Sequence, residues 1–592
     1  MPIIVQKFGG TSVADSKKIL AAARKAIRAQ KEGNQVVMVV SAMGKNTDVL
    51  VDLAHEITDE PPDREMDMLL STGEQVSVAL VAMAVHSLGH KAISLTGAQI
   101  GIVTDSTHTK ARIRSISTDR LRKALDDGNI VIAAGFQGID ESNNITTLGR
   151  GGSDTTAVAL AAVLGADACE IYTDVDGVYT TDPRVVPEAR QVRQISYDEM
   201  LELATAGAGV MHNRSIEFAK KFNVPVHVRS SFSDNPGTMI VRDPEAPNMP
   251  VCGAALSKTE ARVTVLGVPD RPGAALSIFS KIAAKNIAMD MIVQNEAAGD
   301  RADLSFTVSR DDLPATLRAV EVAVKELDAE GYTHDDNVSK ISVVGLGMAT
   351  QPGVAGTMFR ALADRGINVE MITTSEIKIS ALIARDRAVE GLRAVHEAFQ
   401  LQLPPPETAV RTDGSSLRKA KIDQAAMVAR LQRMEKLVID NIDLDETQSR
   451  VTFLDTPDVP GQAAATFDAL AAASVVVDMI VQSGVRDDRA NISVTVPRSD
   501  FSKALAVASK LAELLNCPAP THCEKVAKLS VFGVGIKSNS GLAARMFQSL
   551  ATAGVNVELI STSEVRINVV VDAKDGHKAL HALKKELADA LA

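Results

Sequence analysis

Short apolar runs alternate with longer amphipathic stretches through the first 245 or so residues. The runs IIVQKF, QVVMVVSA, AISLTG, NIVIAAGFQG and CEIYT are almost wholly apolar, as strands buried on both faces of a parallel sheet are. Between them, apolar residues three and four apart predict helices at 15–30, 67–86 and 154–164. The alternation predicts a mostly parallel α/β/α sandwich, in which ligands bind at the carboxyl ends of the strands.

Four glycine-rich segments each follow one of these strands: GGTS, SAMGK, GRGGSD and TDVDG. Because the carboxyl ends of parallel strands meet at one edge of a sheet, we expect these loops to lie together. Glycines let the backbone approach an anion closely, and helix N-termini offer free N–H groups. The sequence therefore predicts a phosphate-binding edge.

The second half of the chain is a tandem duplication. Three separated landmarks recur 188 residues later: RVTVLGVPDRPG from Arg262 and RVTFLDTPDVPG from Arg450, MDMIVQ ending at Gln294 and VDMIVQ ending at Gln482, and TSEIKISALI from Thr374 and TSEVRINVVV from Thr562. An unchanged offset implies two copies of similar length. Each copy is itself double, with a strand, a Gly/Pro loop, an amphipathic helix and further strands in both of its parts, which predicts β-α-β-β-α-β modules.

These patterns divide the chain into a catalytic domain over 1–245, ferredoxin-like modules over 249–336, 337–400, 437–524 and 525–592, and a linker over 401–436. The linker contains LPPPETAVRTDGSS, a composition typical of connectors. The run VCGAALS precedes the first module and LVIDNID precedes the third at the same offset. We expect each run to supply a sheet strand to the other module of its pair, so that a pair forms one unit.

Composition excludes several classes of function. The net charge is −11 and no basic block is long, which argues against nucleic acid and anionic membranes as partners. Four cysteines with irregular spacing indicate no metal site and suit a reducing, cytoplasmic setting. The first strand begins at Ile3, which leaves no room for a leader, and no apolar run is expected to reach the length of a membrane span.

The segment K-F-G-G-T-S, from Lys7 to Ser12, places its lysine before the glycines. A P-loop places the lysine after them. By itself the segment fits either another kind of phosphate site or a strand end followed by a tight turn. His212 and His227 have no ligand-like spacing and are interpreted as structural. GLGMAT and GVGIKS lack the third glycine of a dinucleotide motif and predict turns at strand ends.

Several ordered motifs together resemble the aspartate kinase family, whose members join an amino-acid-kinase-fold domain to ACT domains. They are KFGGTSV, VSAMGK, STGEQ, LGRGGSDTTA, YTDVDGVYTTDPR and the repeats from Arg262 onward. The chain ends after the fourth module, which implies a monofunctional enzyme, and it carries two pairs of modules where one pair is common. The rival interpretations are a related kinase acting on glutamate, acetylglutamate or UMP, and a non-catalytic amino-acid sensor.

The resemblance implies transfer of the γ-phosphoryl group of ATP to the side chain of L-aspartate. The acceptor carboxylate is already ionised at pH 7, so the site needs cations, N–H groups and Mg²⁺ rather than a strong base. Mg²⁺ is expected to be held mainly by the ATP phosphates, with no dedicated metal cage. The implied catalytic residues are Lys7, Arg150 and Asp154. ATP is assigned to Lys7, Gly9, Gly10, Thr11, Ser12, Thr173, Asp174, Tyr179 and Arg184, and aspartate to Ser41, Thr47, Glu74, Arg150, Gly151, Gly152 and Ser153.

Each role has a structural alternative. Arg150 suits the α-carboxylate and Glu74 the α-ammonium group of aspartate, but Glu74 and Asp154 also fit acids that stabilise a helix N-terminus. Thr11 or Ser12 is expected to cap the first helix. The segment from Thr173 to Arg184 carries ordinary turn signals as well. A lysine found near the nucleotide in some relatives is replaced by Gly209.

ACT modules resemble amino-acid sensors that pair side by side, and the resemblance implies L-lysine and L-threonine as feedback inhibitors. It also implies a homodimer through the ACT domains, although the duplicated pairs could satisfy one another within one chain. The implied effector residues are Asp270, Gly273, Ala274, Ala275, Asp290, Met291, Gln294 and Asn295 in module 1; Gly353, Val354, Asn368, Glu370, Ser375 and Glu376 in module 2; Asp458, Gly461, Asp478 and Gln482 in module 3; and Gly541, Asn556, Glu558, Ser563 and Glu564 in module 4. Ser483 replaces Asn295, so the two copies could differ in ligand. The alternative is that each loop is a helix cap in a purely dimerising module.

Overall fold

The structure is a computed structural model, and it describes residues 1–207, 209–244, 249–285, 287–294, 301–351, 353–404, 437–482, 488–536 and 540–591. Most of the expected linker, together with the candidate effector residue Asn295 and its counterpart Ser483, lies outside the described residues.

An eight-stranded sheet forms the centre of the first half, in the order β10-β12-β11-β9-β1-β2-β6-β3. All neighbours in it are parallel except β11 and β12, so the predicted mostly parallel sheet is confirmed. Its strands are β1 (Ile3–Phe8), β2 (Gln35–Val40), β3 (Ala92–Leu95), β6 (Ile130–Ala134), β9 (Ala168–Thr173), β10 (Gln194–Ser196), β11 (Val226–Ser230) and β12 (Thr238–Val241). The five predicted strands are all in this sheet.

Helices cover both faces of this sheet. They are α1 (Ser16–Lys31), α2 (Asn46–Ile57), α3 (Asp63–Ser87), α4 (Gly97–Ile100), α5 (Asp119–Asp126), α6 (Gly152–Leu164), α7 (Tyr197–Thr205) and α8 (Asn213–Phe222). The central helix α6 buries twelve of its thirteen residues, because it packs between the sheet and α8. The expected cap of α1 by Thr11 or Ser12 is wrong: Asp15 accepts a hydrogen bond from the Lys18 N–H, and the Ser12 hydroxyl bonds to Ser231.

The length of helix α3 contradicts the expectation that no apolar run would reach the length of a membrane span. It has 25 residues and is long and apolar enough to cross a membrane by length and composition. Half of its most apolar window is nevertheless buried inside the protein, where α3 packs against α1 and β3. Such a pattern is also typical of core helices in folded domains.

A second, four-stranded sheet in the first half was not predicted. It contains β4 (Ile102–Thr104), β5 (Ile113–Ile116), β7 (Gln137–Ile139) and β8 (Ile145–Thr147) in the order β5-β4-β7-β8. Its strands have only three or four residues, too few for a period-2 pattern to be recognised. This sheet positions the loop after β8, which carries Arg150.

The described part of the second half contains four repeated strand–helix units. Unit 1 comprises β14 (Glu260–Pro269), α9 (Ala274–Ala283), β15 (Met289–Gln294), β16 (Arg301–Ser309), α10 (Leu313–Leu327) and β17 (Gly331–Asp335). Unit 2 comprises β18 (Val338–Val344), α11 (Val354–Ala363), β19 (Met371–Ser375), β20 (Lys378–Ala384) and α12 (Ala388–Ala398). Unit 3 comprises β21 (Val438–Pro457), α13 (Gln462–Ala472), β22 (Ile480–Gln482), β23 (Arg489–Pro497) and α14 (Phe501–Leu515). Unit 4 comprises β24 (Thr521–Val534), α15 (Ser540–Thr552), β25 (Leu559–Thr562), β26 (Arg566–Asp572) and α16 (Gly576–Glu586).

The expected exchange of strands within each pair is confirmed. Strand β13 (Gly253–Ser257) precedes unit 1 but pairs with β18 of unit 2. The first part of β21 likewise pairs with the end of β24, from Val438 opposite Val534 to Asp445 opposite Lys528, whereas its second part pairs with β23. The run before unit 1 therefore completes the sheet of unit 2, and the run before unit 3 completes the sheet of unit 4.

The units also pair across the duplication. Strands β19 and β22 are antiparallel neighbours and join units 2 and 3 in a ten-stranded sheet, and α11 packs on α13. Helices α9 and α15 pack together in the same way and join unit 1 to unit 4. Of the two arrangements that the sequence left open, this structure has the one in which the modules pair within one chain.

Candidate active site

A cavity of about 850 Å³ opens at the carboxyl edge of the central sheet. Four of the charged residues singled out from the sequence line it, although they come from four different elements. They are Lys7 from β1, Glu74 from α3, Arg150 from the loop after β8, and Asp154 from α6. The cavity therefore unites the charges expected for an amino acid and a transferring phosphoryl group.

Lys7 and Asp154 form an ion pair inside this cavity. Lys7 lies near the end of β1, opposite Val39 of β2 and Ile171 of β9, so the central strand of the sheet carries it to the edge. Its Nζ is 2.7 Å from Oδ1 of Asp154, and the two side chains are only 12% and 13% exposed. Asp154 lies in the first turn of α6 and holds the ammonium group at the cavity wall.

Glu74 is a buried carboxylate with spare hydrogen-bonding capacity. Its Oε1 accepts the Ala42 N–H at 3.1 Å, whereas Oε2 has no hydrogen-bond partner among the described residues. Burial raises the pKa of Glu74 to about 7, and the bond from Ala42 only partly offsets this. A buried acceptor without a partner is costly, so Glu74 suits a cationic ligand.

The loop that carries Arg150 has a constrained backbone. Gly149 and Gly151 both have positive φ, at 75° and 70°, and a Cβ on Gly151 would lie 2.3 Å from that of His212. Arg150 is exposed between them and makes no ion pair with a described carboxylate. Its guanidinium is therefore available to a ligand. The other predicted substrate-side residues also line the cavity: Ser41, Thr47, Gly151, Gly152 and Ser153.

The residues assigned to ATP lie along the adjoining edge. Strand β9 is the neighbour of β1, and the Gly9 N–H donates to the Tyr172 carbonyl at 3.4 Å. Arg184 is mostly exposed and pairs bidentately with Asp182. Except for Lys7, the assigned residues do not line the cavity: Gly9, Gly10, Thr11, Ser12, Thr173, Asp174, Tyr179 and Arg184. Of these, Thr11 and Asp174 are exposed, whereas Ser12 is buried.

Asp67 has no role predicted from the sequence, but it anchors residues on one side of the cavity. It is fully buried and accepts the Thr109 N–H, the Thr147 hydroxyl at 2.5 Å and a His108 ring nitrogen at 2.6 Å. These residues flank the loop to Arg150. Asp67 lies seven residues before Glu74 on α3, and therefore on the same face of the helix. This seven-residue spacing from Glu74 is the sequence feature that could have identified Asp67 as a residue near the site.

Helix α8 and its N-cap contribute two further residues that the sequence did not assign to the site. Arg214 donates to the carbonyls of Leu148 and Ala111, both at 2.7 Å, and so ties two loops together. His212 was interpreted as structural, but it lines the cavity and contacts Gly151. Burial lowers the pKa of His212, with a further contribution from the charge of Arg214. Lys110, Arg112 and Lys221 add positive charge to the wall.

The second half of the chain contributes the remaining wall. Leu437, Val534 and Gly535 line the same cavity, and Val534 and Gly535 belong to the GVGIKS turn at the end of β24. Units 3 and 4 thus reach the residues that surround Arg150.

Comparisons with known proteins identify the chain. Residues 2–230 match the amino acid kinase family, and residues 341–399, 455–510 and 529–587 each match the ACT domain. The aspartokinase of Geobacillus stearothermophilus is 51% identical over 402 residues, which cover 68% of this chain and 98% of that relative. The chain belongs to the aspartate kinase family. It is a phosphotransferase with an amino acid kinase fold and C-terminal ACT domains, and it uses ATP.

Solved structures extend this likeness to the whole chain. The aspartate kinase from Synechocystis is 41% identical, covers 99% of this chain and 98% of its own, and aligns with a TM-score of 0.53. E. coli aspartokinase III is 25% identical and covers 67% of this chain and 99% of its own. Its complex with aspartate and ADP aligns with a TM-score of 0.58, and its complex with lysine and aspartate with 0.53.

Two narrow crevices lie between paired units of this aspartate kinase. The 1–4 crevice is lined by the loop after β14, including Gly273, Ala274 and Ala275, and by Asn556 of unit 4. Asn556 donates to Asp270 at 2.8 Å, and Gln294 donates to the Val557 carbonyl at 3.1 Å. The volume of the crevice is about 20 Å³, so an amino acid requires side chains to move apart.

The 2–3 crevice repeats this arrangement after the 188-residue offset. It is lined by Asp458, Gly461 and Gln482 of unit 3 and by Asn368 of unit 2. Gln482 donates to the Val369 carbonyl at 3.0 Å. Burial raises the pKa of Asp458, and a hydrogen bond from Asn368 opposes the change. Each crevice thus combines the loop of an odd-numbered unit with the asparagine of an even-numbered one.

Most of the remaining predicted effector residues do not line these crevices. Several carboxylates are already in ion pairs: Asp290 with Lys340, Asp478 with Lys528, Glu370 with Arg262, Glu558 with Arg450, and Glu376 with Arg566. Gly353, Val354 and Gly541 lie at the start of α11 and α15, and Met291 is in the core. Ser375 is the last residue of β19, Ser563 directly follows β25, and the Glu564 N–H donates to Glu202 of α7. These two crevices are therefore formed around the loops of units 1 and 3, and the corresponding loops of units 2 and 4 do not line them.

Proposed function

We propose that this chain transfers the γ-phosphoryl group of ATP to the side-chain carboxylate of L-aspartate and forms 4-phospho-L-aspartate and ADP. The observation that carries the proposal is the convergence of Lys7, Glu74, Arg150 and Asp154 on one cavity. Arg150 binds the α-carboxylate of aspartate, and the free oxygen of Glu74 accepts from its α-ammonium group. This orientation directs the side-chain carboxylate toward Lys7.

Lys7 neutralises the charge that develops on the transferring phosphoryl group, and Asp154 keeps its ammonium group in place. No proton needs to be removed from the acceptor, because its carboxylate is ionised at neutral pH. ATP binds along the adjoining edge, at Gly9, Gly10, Thr11, Ser12, Thr173, Asp174, Tyr179 and Arg184. When bound, Mg²⁺ supplies additional positive charge to the phosphates. We propose that the ATP phosphates and water hold most of the coordination sites of this ion.

The experiment is an assay of acyl phosphate trapped with hydroxylamine, with ATP and either aspartate or glutamate. We expect turnover with aspartate only, and we expect Lys7→Ala to lose about 10²-fold or more of kcat, as the removal of a transition-state donor does. Lys31→Ala, at the distant end of α1, is the matched control. Near-normal turnover by Lys7→Ala would contradict the role of Lys7, and equal turnover with glutamate would contradict the substrate.

We further propose that all four units are ACT domains, with boundaries near 249–336, 337–400, 437–524 and 525–592 after a catalytic domain over 1–245. Unit 1 begins with the same β-α-β-β-α order as the units that match the ACT domain. L-lysine and L-threonine are the proposed inhibitors, as products of the cytoplasmic pathway that aspartate kinase opens. The lysine complex of the E. coli relative supports the first of them. We also propose that two copies of the chain form a homodimer through their ACT domains.

Inhibition curves with lysine and threonine, singly and together, test this regulation. We expect Asn556→Ala to weaken inhibition through the 1–4 crevice and Asn368→Ala through the 2–3 crevice, with uninhibited kcat unchanged in both. Asn337→Ala, between β17 and β18 and outside both crevices, is the control. Failure of both amino acids to inhibit the wild type would contradict the effectors but leave the assignment of the catalytic site intact.

A further inference from the structure

Lys110 is a cation of the catalytic cavity that has no role in the proposed reaction. It lies in the β4–β5 loop, residues 105–112, between β4 and β5, and it lines the same cavity as Arg150. Its side chain is exposed, and no ion pair joins its ammonium group to a carboxylate of the described residues. The neighbouring His108, in contrast, pairs with Asp67 at 2.6 Å. The ammonium group of Lys110 is therefore available to a ligand.

The backbone just before Lys110 is strained. Thr109 has a φ of 64°, in the left-handed region, where a β-branched residue is rare because its Cβ crowds the backbone. Such a conformation persists only where the surrounding structure holds it, and it is concentrated at ligand-binding segments. The Thr109 N–H donates to Oδ1 of the fully buried Asp67 at 3.0 Å. A buried carboxylate thus maintains the strained turn that presents Lys110.

A second buried contact fixes the backbone just after Lys110. Ala111 is fully buried, and its N–H donates to the Thr147 carbonyl at 2.9 Å. The Ala111 carbonyl accepts a hydrogen bond from Arg214 at 2.7 Å. The backbone of Lys110 is therefore held on both sides while its side chain stays exposed. A solvated surface lysine gains nothing from a fixed backbone, whereas a ligand-binding lysine loses less conformational entropy when it binds.

The same two anchors hold the loop that carries Arg150. Asp67 accepts a hydrogen bond from the Thr147 hydroxyl at 2.5 Å, and Arg214 donates to the Leu148 carbonyl at 2.7 Å. Each anchor therefore contacts both loops. Because the two loops are fastened to the same buried groups, a ligand bound by one of them meets the other at a fixed position.

The two loops are in contact at Gly149. A Cβ on Gly149 would lie 2.9 Å from the Thr109 carbonyl oxygen and 3.8 Å from both Cα and Cγ of Lys110. The φ of Gly149 is 75°, so both its conformation and this close contact favour glycine. Lys110 therefore packs beside the residue that directly precedes Arg150, and the two cations belong to the same wall of the cavity.

We propose that Lys110 and Arg150 together bind the α-carboxylate of aspartate, an inference that rests on the proposed function. Aspartate brings two carboxylates into the cavity. Its side-chain carboxylate is directed toward Lys7, whose ammonium group already pairs with Asp154. The α-carboxylate is the remaining anion, and its two oxygens accept about four hydrogen bonds, enough for a guanidinium and an ammonium group. Lys110 thus selects acceptors that carry an α-carboxylate.

Steady-state kinetics with aspartate, and with isoasparagine as a competitor, test this role. Isoasparagine is the α-amide of L-aspartate and lacks the negative charge that Lys110 would bind. We expect Lys110→Met to raise the KM for aspartate about tenfold or more, as the loss of a hydrogen bond between charged groups does, with kcat and the KM for ATP unchanged. The inhibition constant of isoasparagine should be the same in this variant and the wild type. Lys110→Arg keeps the charge and should lower the KM for aspartate again.

Lys123→Met, which removes an exposed lysine from α5, is the matched control and should leave every constant unchanged. If the wild type phosphorylates aspartate and Lys110→Met has a normal KM, the role of Lys110 is wrong and the proposed function stands. An equal rise in the inhibition constant of isoasparagine also overturns the inference, because the substitution then acts on the loop rather than on the α-carboxylate. A wild type that does not phosphorylate aspartate contradicts the proposed function itself.

Discussion

Two buried carboxylates on α3 differ in what satisfies them. Asp67 receives hydrogen bonds from a backbone N–H, a hydroxyl and an imidazole, whereas one oxygen of Glu74 has no partner among the described residues. An acid whose acceptors are filled by its own protein holds structure in place. An acid left short of donors in a cavity suits a ligand. The three predictions at the residue scale follow from this difference.

We predict that the KM for aspartate depends on pH through Glu74. Because the pKa of this carboxyl is raised to about 7, it is largely protonated below pH 7 in the free enzyme and cannot pair with an ammonium group. The KM for aspartate should rise about tenfold for each pH unit below 7 and level off above it. Glu74→Gln should give a high KM with a flat profile. The KM for ATP, measured over the same pH range, is the control.

The same raised pKa has the opposite effect on folding. Between pH 4.5 and 7 the folded state keeps a proton that the unfolded state loses, so the free energy of unfolding decreases as pH rises. The loss is about 3 kcal/mol for this mostly buried group. Thermal unfolding of Glu74→Gln should lack this decrease. A steeper decrease in the variant would contradict the sign.

Asp67→Asn should raise the KM for aspartate about tenfold and change kcat by less than threefold. The amide cannot accept from all three donors, so the loop between Thr147 and Arg150 loses its anchor, at a cost of about 1–3 kcal/mol in stability. Asp63→Asn, exposed at the start of the same helix, is the matched control. A fall of about tenfold in kcat with an unchanged KM would contradict the proposed role of Asp67 in holding the substrate-binding loop.

At the scale of elements, β21 has the most unusual construction. It has 20 residues and serves two units, since its first part pairs with the end of β24 and its second with β23. Register shifts between Asp445 and Gln448 and between Gln448 and Arg450 mark the change from one part to the other. Neither unit 3 nor unit 4 therefore has a complete sheet of its own.

We predict that units 3 and 4 unfold together. Ile442 is 3% exposed in the first part of β21, and Ile442→Asp buries an unpaired charge there, at a cost of about 3–5 kcal/mol. Hydrogen exchange should report lost protection in β23 as well as in β26. Lys525→Asp, at an exposed site on β24, should leave both protected. If hydrogen-exchange protection were lost only in unit 4, the two units would unfold separately, which would contradict the prediction.

At the scale of the whole molecule, α7 joins the catalytic domain to the regulatory half. Glu199 accepts the Leu346 N–H of unit 2 at 3.1 Å. Glu202 is fully buried, pairs with Lys378 of unit 2 at 2.8 Å, and accepts the Glu564 N–H of unit 4 at 3.1 Å. One even-numbered unit from each crevice thus contacts the same helix.

We predict that Glu202→Gln/Lys378→Met uncouples inhibition from effector binding. Removing both charges avoids leaving one buried and unpaired, so uninhibited kcat should stay within about threefold. The effector concentration for half inhibition should rise about tenfold or more, a coupling of 1–3 kcal/mol. Glu321→Gln/Lys325→Met removes an exposed pair on α10 and should have no effect. Unchanged inhibition in the α7 variant would exclude this route.

Sequence patterning determined much of this protein by itself. Buried strands, glycine loops and the 188-residue offset are local or periodic signals, and they predicted the central sheet, the edge that carries Lys7 and Arg150, and the repeated units with their exchanged strands. These features were predictable because the period of apolar residues reports which face of an element is buried.

Only the tertiary structure decided which partner covers each face. Strands β19 and β22 are about a hundred residues apart, and the loop of unit 1 meets Asn556 of unit 4, so the effector crevices join units from different copies. Asp67, His212 and the turn of β24 reach the catalytic cavity in the same way, through contacts between distant segments. The period of apolar residues indicates that a surface is buried, but it does not indicate which element covers that surface. Many amphipathic faces have the same pattern, and only the packing of the folded chain determines which of them are in contact.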